Sequence, residues 1–147
     1  MKKFLIVGFV LASLCAIAQT EKANGVEFKF EIQDGRATLT GTSAGSSIAG
    51  DLVLPQTLGG CPVTCIGSGA FYGCSGLTSV TIPPSVTNIG LRAFAGFSGL
   101  KTFVVDKDNP NFTAINGLLC TKDGATVVAG VSGDVTIPPS VRRIGDW

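Results

Sequence analysis

Apolar and polar residues alternate along the stretch that begins at Val26. Val26, Phe28, Phe30 and Ile32 are separated by Glu27, Lys29 and Glu31, and Ala37 and Leu39 resume the alternation after Asp34-Gly35. A period of two puts one set of side chains on one face of a strand, and Asp-Gly between two such runs is a turn signal. Residues 26–41 therefore predict a β-hairpin. Farther along, the pattern becomes a repeat: IGSGAFYGCSGL at 66–77 returns 23 positions later as IGLRAFAGFSGL at 89–100. Leu77, Val80 and Ile82 carry an L-x-x-L-x-L spacing, and Leu100, Phe103 and Val105 fill the same slots one repeat on. A single unit of this kind cannot bury its own apolar face, whereas stacked units can.

Leu52-Val53-Leu54-Pro55 and Val135-Thr136-Ile137-Pro138 read as the preceding and following units, with Ala49 and Ser132 in their first slots. Pro-Pro-Ser-Val at 83–86 and again at 138–141 ends each strand, because proline has no N–H to give to a ladder. Val86 and Ile89 then suggest a short extended stretch and Arg92-Ala93-Phe94 a short helical turn, with Gly96 allowing the return. Phe71 and Phe94 are the expected buried anchors. The fold class predicted is mainly β: a short leucine-rich-repeat solenoid of about four rungs with short helical turns, its N-terminal edge covered by the hairpin. Residues 19–50 are assigned to that capping hairpin and a linker, and 51–147 to the repeats. A variant repeat interrupts them at 106–134, where Gly117–Cys120 and Ala125–Val128 flank Lys122-Asp123-Gly124 as a second hairpin. Ile144-Gly145-Asp146-Trp147 aligns with Ile89-Gly90-Leu91-Arg92, so the last rung is expected to be truncated, leaving an open edge prone to self-association.

The N-terminus changes the picture of where the chain resides. Lys2-Lys3, an apolar run from Phe4 to Leu14 and Ala16-Ile17-Ala18 predict a signal peptide over 1–18 with cleavage before Gln19. The run is too short for the roughly 20 apolar residues of a membrane helix. Leu14 is bulkier than the small residue a lipid-attachment site at Cys15 would want. Export would remove two of eleven basic residues and leave nine against ten acidic ones, so no electrostatic footprint for nucleic acid remains. Arg142-Arg143 reads as two solvated strand-edge charges. Twenty glycines and seven prolines agree with many short strands and turns.

The chain has no histidine, which excludes Ser-His-Asp and Cys-His sites and any histidine-bearing zinc centre. No catalytic, cofactor-binding or metal site is expected, and the chain is read as not an enzyme. Asp106-Lys107-Asp108 begins like a calcium loop, but Pro110 and Asn111 stand where a ligand and a glycine are required, and Asn109-Pro110-Asn111 reads as a plain turn. Asn111-Phe112-Thr113 matches a glycosylation acceptor that matters only in a eukaryotic secretory pathway. Cys61, Cys65, Cys74 and Cys120 would meet an oxidising compartment. Cys74 aligns with Phe97, however, so it is expected to be a free, packed thiol. Cys61 and Cys65, if extended, lie too far apart to bond directly.

The string Gly73-Cys74-Ser75-Gly76-Leu77-Thr78-Ser79-Val80-Thr81-Ile82-Pro83, with Ser85-Val86-Thr87-Asn88-Ile89-Gly90 and Ala93-Phe94, resembles the BspA-like leucine-rich repeats of bacterial and protozoan surface proteins. The resemblance extends from about Asp51 to the end, and Asn109 to Leu119 resembles a variant repeat of that family. It implies export, a curved solenoid and adhesion to host or neighbouring-cell macromolecules, and it carries over no catalytic residue. Between the inward positions stand Thr78, Ser79, Thr81, Lys101, Thr102, Val104 and Thr136, one row per rung. These seven form the possible ligand-contact face, and a row of merely solvated residues is the alternative. The functional reading is a secreted or cell-surface adhesion or protein-interaction module whose partner is a protein or other extracellular macromolecule. A structural spacer or fragment of a longer surface protein, binding nothing itself, is the other.

Overall fold

The computed structural model describes residues 17–145. The expected signal peptide falls almost wholly outside this range, as does Trp147. Thirteen strands follow in chain order: β1 Gln19–Ala23, β2 Val26–Gln33, β3 Arg36–Thr42, β4 Ala49–Val53, β5 Thr57–Leu58, β6 Cys61–Ile66, β7 Gly76–Ile82, β8 Asn88–Ile89, β9 Thr102–Val105, β10 Phe112–Ile115, β11 Leu118–Thr121, β12 Thr126–Ala129 and β13 Arg143–Ile144. A three-residue 3-10 turn at Gly45–Ser47 is the only helical element among the described residues. Arg92-Ala93-Phe94, expected as a helical turn, is held by single turn bonds from Ala93 N to Gly90 O and Ala95 N to Arg92 O at 3.2 Å each.

The expected hairpin is present as β2–β3, with Phe30 opposite Leu39 and Ile32 opposite Ala37. Its Asp34-Gly35 turn has φ of 51° and 72°, the doubly positive pair of a two-residue turn that matches strand twist. The same chemistry at Asn24-Gly25, φ 51° and 81°, adds β1 antiparallel to β2. That strand was not anticipated, although Asn-Gly is the strongest short-range hairpin signal. On its other side β3 runs parallel to β6, Ala37 facing Val63 and Leu39 facing Ile66. The hairpin thereby places Phe28, Phe30, Ala37 and Leu39 in the core.

Two sets of parallel pairings carry the repeat. In the first, β4, β7 and β9 lie side by side, Leu52 facing Val80 and Val80 facing Phe103. In the second, Cys65 of β6 faces Asn88 of β8. Ser79 to Thr102 and Cys65 to Asn88 both keep the 23-residue offset. The earlier step from Leu52 to Val80 is longer because the small β5–β6 hairpin is inserted after Pro55. Turns join the two sets and stack on one another, Phe71 N donating to Ala93 O at 2.9 Å. Leu77, Val80, Ile82, Leu100 and Phe103 are buried, as are Phe71 and Phe94. Burying one such phenylalanine stabilises the fold by about 2–3 kcal/mol.

The fourth rung differs from expectation. Val135–Ile137 forms no strand, and β13 pairs in parallel with β12, Val127 facing Ile144. The variant repeat is the physical cause. It contributes the hairpin β10–β11 as well as the expected β11–β12 pairing, and the β10–β11 turn occupies the edge of β9, where Phe103 N donates to Gly117 O at 2.8 Å. Val135 is left half-buried in a small separate cluster around Leu118, Cys120 and Val127, while Ile137 stays 45% exposed. Asn109, read from sequence as a plain turn residue, is fully buried. Its Nδ2 donates to Pro83 O and Val86 O at 2.9 Å each, and its Oδ1 accepts from the N–H groups of Asn111 and Phe112 at 2.9 and 2.8 Å.

Candidate functional site

In the parallel ladder the apolar residues turn inward, and the residues between them form an open face of two rows. Asp51, Ser79 and Thr102 make one row, and Val53, Thr81 and Val104 the other. Strands in register lie about 4.8 Å apart, so each row presents side chains at that repeat. Between Gly50–Leu77 and Asp51–Ser79 the register shifts by one, leaving Thr78 without an opposite residue in β4. The bulge aims its hydroxyl back at the ladder: Thr78 Oγ1 donates to Asp51 Oδ1 at 2.7 Å. That bond, with a lesser one from Ser79, holds the exposed Asp51 carboxyl below its ordinary pKa by stabilising the charged form. Lys101 follows, its N–H donating to Thr78 O at 2.9 Å, and its side chain is exposed.

Six of the seven residues singled out from sequence thus stand together on this face. Thr136 does not join the ladder, since its strand is not formed. It lies one step beyond the β10–β11 turn, where Asn116 Nδ2 donates to Thr136 O at 2.9 Å. Asp51 and Val53 were missed. Their signal was available in Asp51-Leu52-Val53-Leu54, but the inserted β5–β6 hairpin displaces that unit from the 23-residue offset. Nor is the face purely polar, for Val53 is 45% and Val104 47% exposed.

Beside the second row runs a groove of about 540 Å³. Val53, Thr81 and Val104 line it together with Pro83 and Pro84, which end β7, and with Ala23 and Asn24 at the tip of the β1–β2 hairpin. Asn24 Nδ2 donates to Val53 O at 3.2 Å, and Glu21 Oε2 accepts from Gly59 N at 2.6 Å. The first bond ties the hairpin tip to the first rung and the second ties β1 to the β5–β6 turn, so the groove wall is part of the fold. What the face offers is hydroxyls, one carboxylate, one ammonium and two isopropyl groups on a rigid backbone. That chemistry suits non-covalent contact.

Among the described residues, no cluster of three or more His, Cys, Asp or Glu is placed to hold a metal ion, and no helix is long and apolar enough to cross a membrane. Cys61, Cys65, Cys74 and Cys120 are all free thiols. Cys74 is 2% exposed, with Sγ 3.7 Å from Gly45 O, and burial raises its pKa. Cys61 and Cys65 share the extended strand β6, and Cys65 Sγ accepts from Asn88 Nδ2 at 3.5 Å.

The model of the BspA type leucine rich repeat region (6 copies) matches residues 53–117. Over these residues the chain is a BspA-type leucine-rich repeat region. A leucine-rich repeat protein from Bacteroides capillosus is similar at 28% identity and a TM-score of 0.52, over 86% of this chain and 87% of that one. The leucine-rich repeat protein of T. pallidum is 31% identical, with a TM-score of 0.49, over 56% of this chain and 37% of that one. A leucine-rich cell surface protein of Faecalibacterium prausnitzii is 29% identical, with a TM-score of 0.47, over 63% of this chain and 24% of that one. The chain therefore spans little more than a third and about a quarter of the length of the last two. No curated protein sequence matches it.

Proposed function

We propose that the chain is a secreted or cell-surface adhesion or protein-interaction module whose contact surface is the open ladder face. The observation that carries this reading is the pair of rows Asp51–Ser79–Thr102 and Val53–Thr81–Val104 bordering a groove that the β1–β2 hairpin walls. Alternating polar and β-branched side chains at strand spacing fit an extended segment of a protein ligand. The walled groove gives such a segment a side to lie against. Export rests on the Lys2-Lys3, apolar run and Ala16-Ile17-Ala18 pattern.

The reading is tested by measuring binding of the purified chain to a panel of immobilised extracellular-matrix proteins and to intact epithelial cells. Saturable binding is expected, weakened about tenfold or more by Thr81→Arg, a change equivalent to at least 1.4 kcal/mol. Thr81 is half-exposed on the ladder face, so the substitution should leave the melting temperature nearly unchanged. Signal at background on every surface, for the unmodified chain, would instead favour a spacer. The short coverage of the T. pallidum and F. prausnitzii proteins is what keeps that second reading in view.

A further inference from the structure

Away from the ladder face, the stacked turns hold one rung to the next through a directional set of bonds. The N–H groups of Gly69, Phe71 and Gly73 donate to the carbonyls of Leu91, Ala93 and Ala95 at 3.0, 2.9 and 2.9 Å. One repeat later the corresponding donors are Arg92, Phe94 and Gly96. None of the three meets an acceptor among the described residues. Arg92 and Gly96 are exposed and Phe94, between them, is only 6% exposed, so the central donor is the one that most needs a partner, since main-chain donors shielded from water are almost always paired. Beside them lies a largely apolar cleft of about 160 Å³, with residues 89–95 on one wall and Thr126, Val128 and Ala129 on the other. The variant repeat explains the vacancy, because it replaces the next turn by strands that pair among themselves.

We propose that this cleft is a docking site for a turn-forming peptide segment of another protein, which offers carbonyl oxygens at alternate residues to Arg92, Phe94 and Gly96, as Leu91, Ala93 and Ala95 do to the first turn, and places an aromatic side chain in the cleft. The argument is continuity with the interface already present between the first and second turns. There, three N–H groups meet three carbonyls and Phe71 stacks on Phe94. The size agrees, since an apolar cavity of roughly 150 Å³ takes a benzene ring. A second copy of this chain does not supply the segment. The carbonyls of its second turn are already used by its first, and the central one of its first turn, Ala70 O, lies against the hairpin, where a Cβ on Gly41 would be 2.9 Å from it. Addition of a backbone segment through main-chain hydrogen bonds, with one side-chain pocket for selectivity, is an established way of recognising peptides.

Amide exchange and an NMR titration test the proposal, with the chain's own turn sequence, acetyl-Gly-Leu-Arg-Ala-Phe-Ala-Gly-amide, as the probe. In the free protein the amides of Arg92, Phe94 and Gly96 should exchange much faster than those of Gly69, Phe71 and Gly73. The peptide should slow them and shift their resonances saturably, and its Phe→Ala analogue should bind about tenfold more weakly. Ala95→Tyr should leave both folding and peptide binding intact, since Tyr72 holds the equivalent position in the pair of turns that already docks. Protection of the three amides without peptide would show that the chain covers its own donors, and would overturn the proposal. So would equal binding of the analogue, or the absence of shifts at these amides with peptide in excess. None of these results depends on whether the ladder face binds a ligand.

Discussion

The rings of Phe71 and Phe94 stack with their centroids 5.6 Å apart and their planes 4° from parallel. They come from corresponding positions of adjacent repeats, so the contact couples one unit to the next. Phe94 also meets Phe103 edge-on at 5.2 Å. Phe94→Ala should cost about 3–5 kcal/mol. A double-mutant cycle with Phe71→Ala should give a coupling of roughly 0.5–1.5 kcal/mol. Urea unfolding of the four proteins measures both, and strict additivity would show that the stack contributes nothing beyond burial.

Asn109 ties the variant repeat to the corner that ends β7. Its four bonds are made in a fully buried setting, so Asn109→Ala removes the side-chain partner of Val86 O and of the N–H groups of Asn111 and Phe112, at about 1–3 kcal/mol for each that water cannot reach, while Pro83 O keeps its bond from Val86 N at 3.3 Å. Asn109→Asp should be worse still, because it replaces the donor facing two carbonyls with a charge. Thermal unfolding should rank the proteins wild type, then Ala, then Asp.

Gly69 and Arg92 occupy the same place in successive turns, with φ of 65° and 54°. Left-handed backbone costs a side-chain-bearing residue roughly 1–2 kcal/mol, a penalty glycine avoids. Arg92→Gly should therefore stabilise the chain by up to about 1 kcal/mol once the greater freedom of glycine in the unfolded chain is counted. Gly69→Arg should destabilise it by a similar amount. A fall in the melting temperature of Arg92→Gly would contradict this.

The Asp51 carboxyl should titrate below the ordinary carboxylate range in the folded chain, chiefly because Thr78 donates to its charged form. A folded-state pKa lower than the unfolded one means that this stabilisation is fully present above the unfolded pKa and is lost as pH falls through the folded one. In Thr78→Val the Asp51 midpoint should move back up. Carboxyl-carbon NMR across the acid range reads both midpoints directly.

Cys74 should behave as a packing residue. Buried, with its thiol pKa raised by desolvation, it should resist alkylation in the native chain, and Cys74→Ala should cost about 1–2 kcal/mol through the small cavity it leaves. Thiol counting on unfolded, unreduced protein should find it free.

Much of this architecture was legible in one dimension because its causes are local and periodic. The alternation from Val26 to Leu39, the doubled Ile-Gly-x-x-Ala-Phe turn, the Pro-Pro ends and the Cys74–Phe97 equivalence each reduce to spacing and side-chain type. They determined a mainly β repeat protein, its hairpin, its anchors Phe71 and Phe94, and most of the open ladder face. Tertiary structure decided what depends on contacts between distant segments. Asn109 becomes a four-bond centre only when Pro83 and Val86 are brought to it. Thr136 leaves the ladder because the Asn116-Gly117 turn takes the edge that a fourth strand would have used. Asp51 and Val53 join the face only because the longer first step, which carries the β5–β6 hairpin, still brings β4 beside β7. The vacant donors of Arg92, Phe94 and Gly96 have the same origin, for a repeat specifies the groups each unit offers its neighbour, and only the folded chain decides which neighbour arrives.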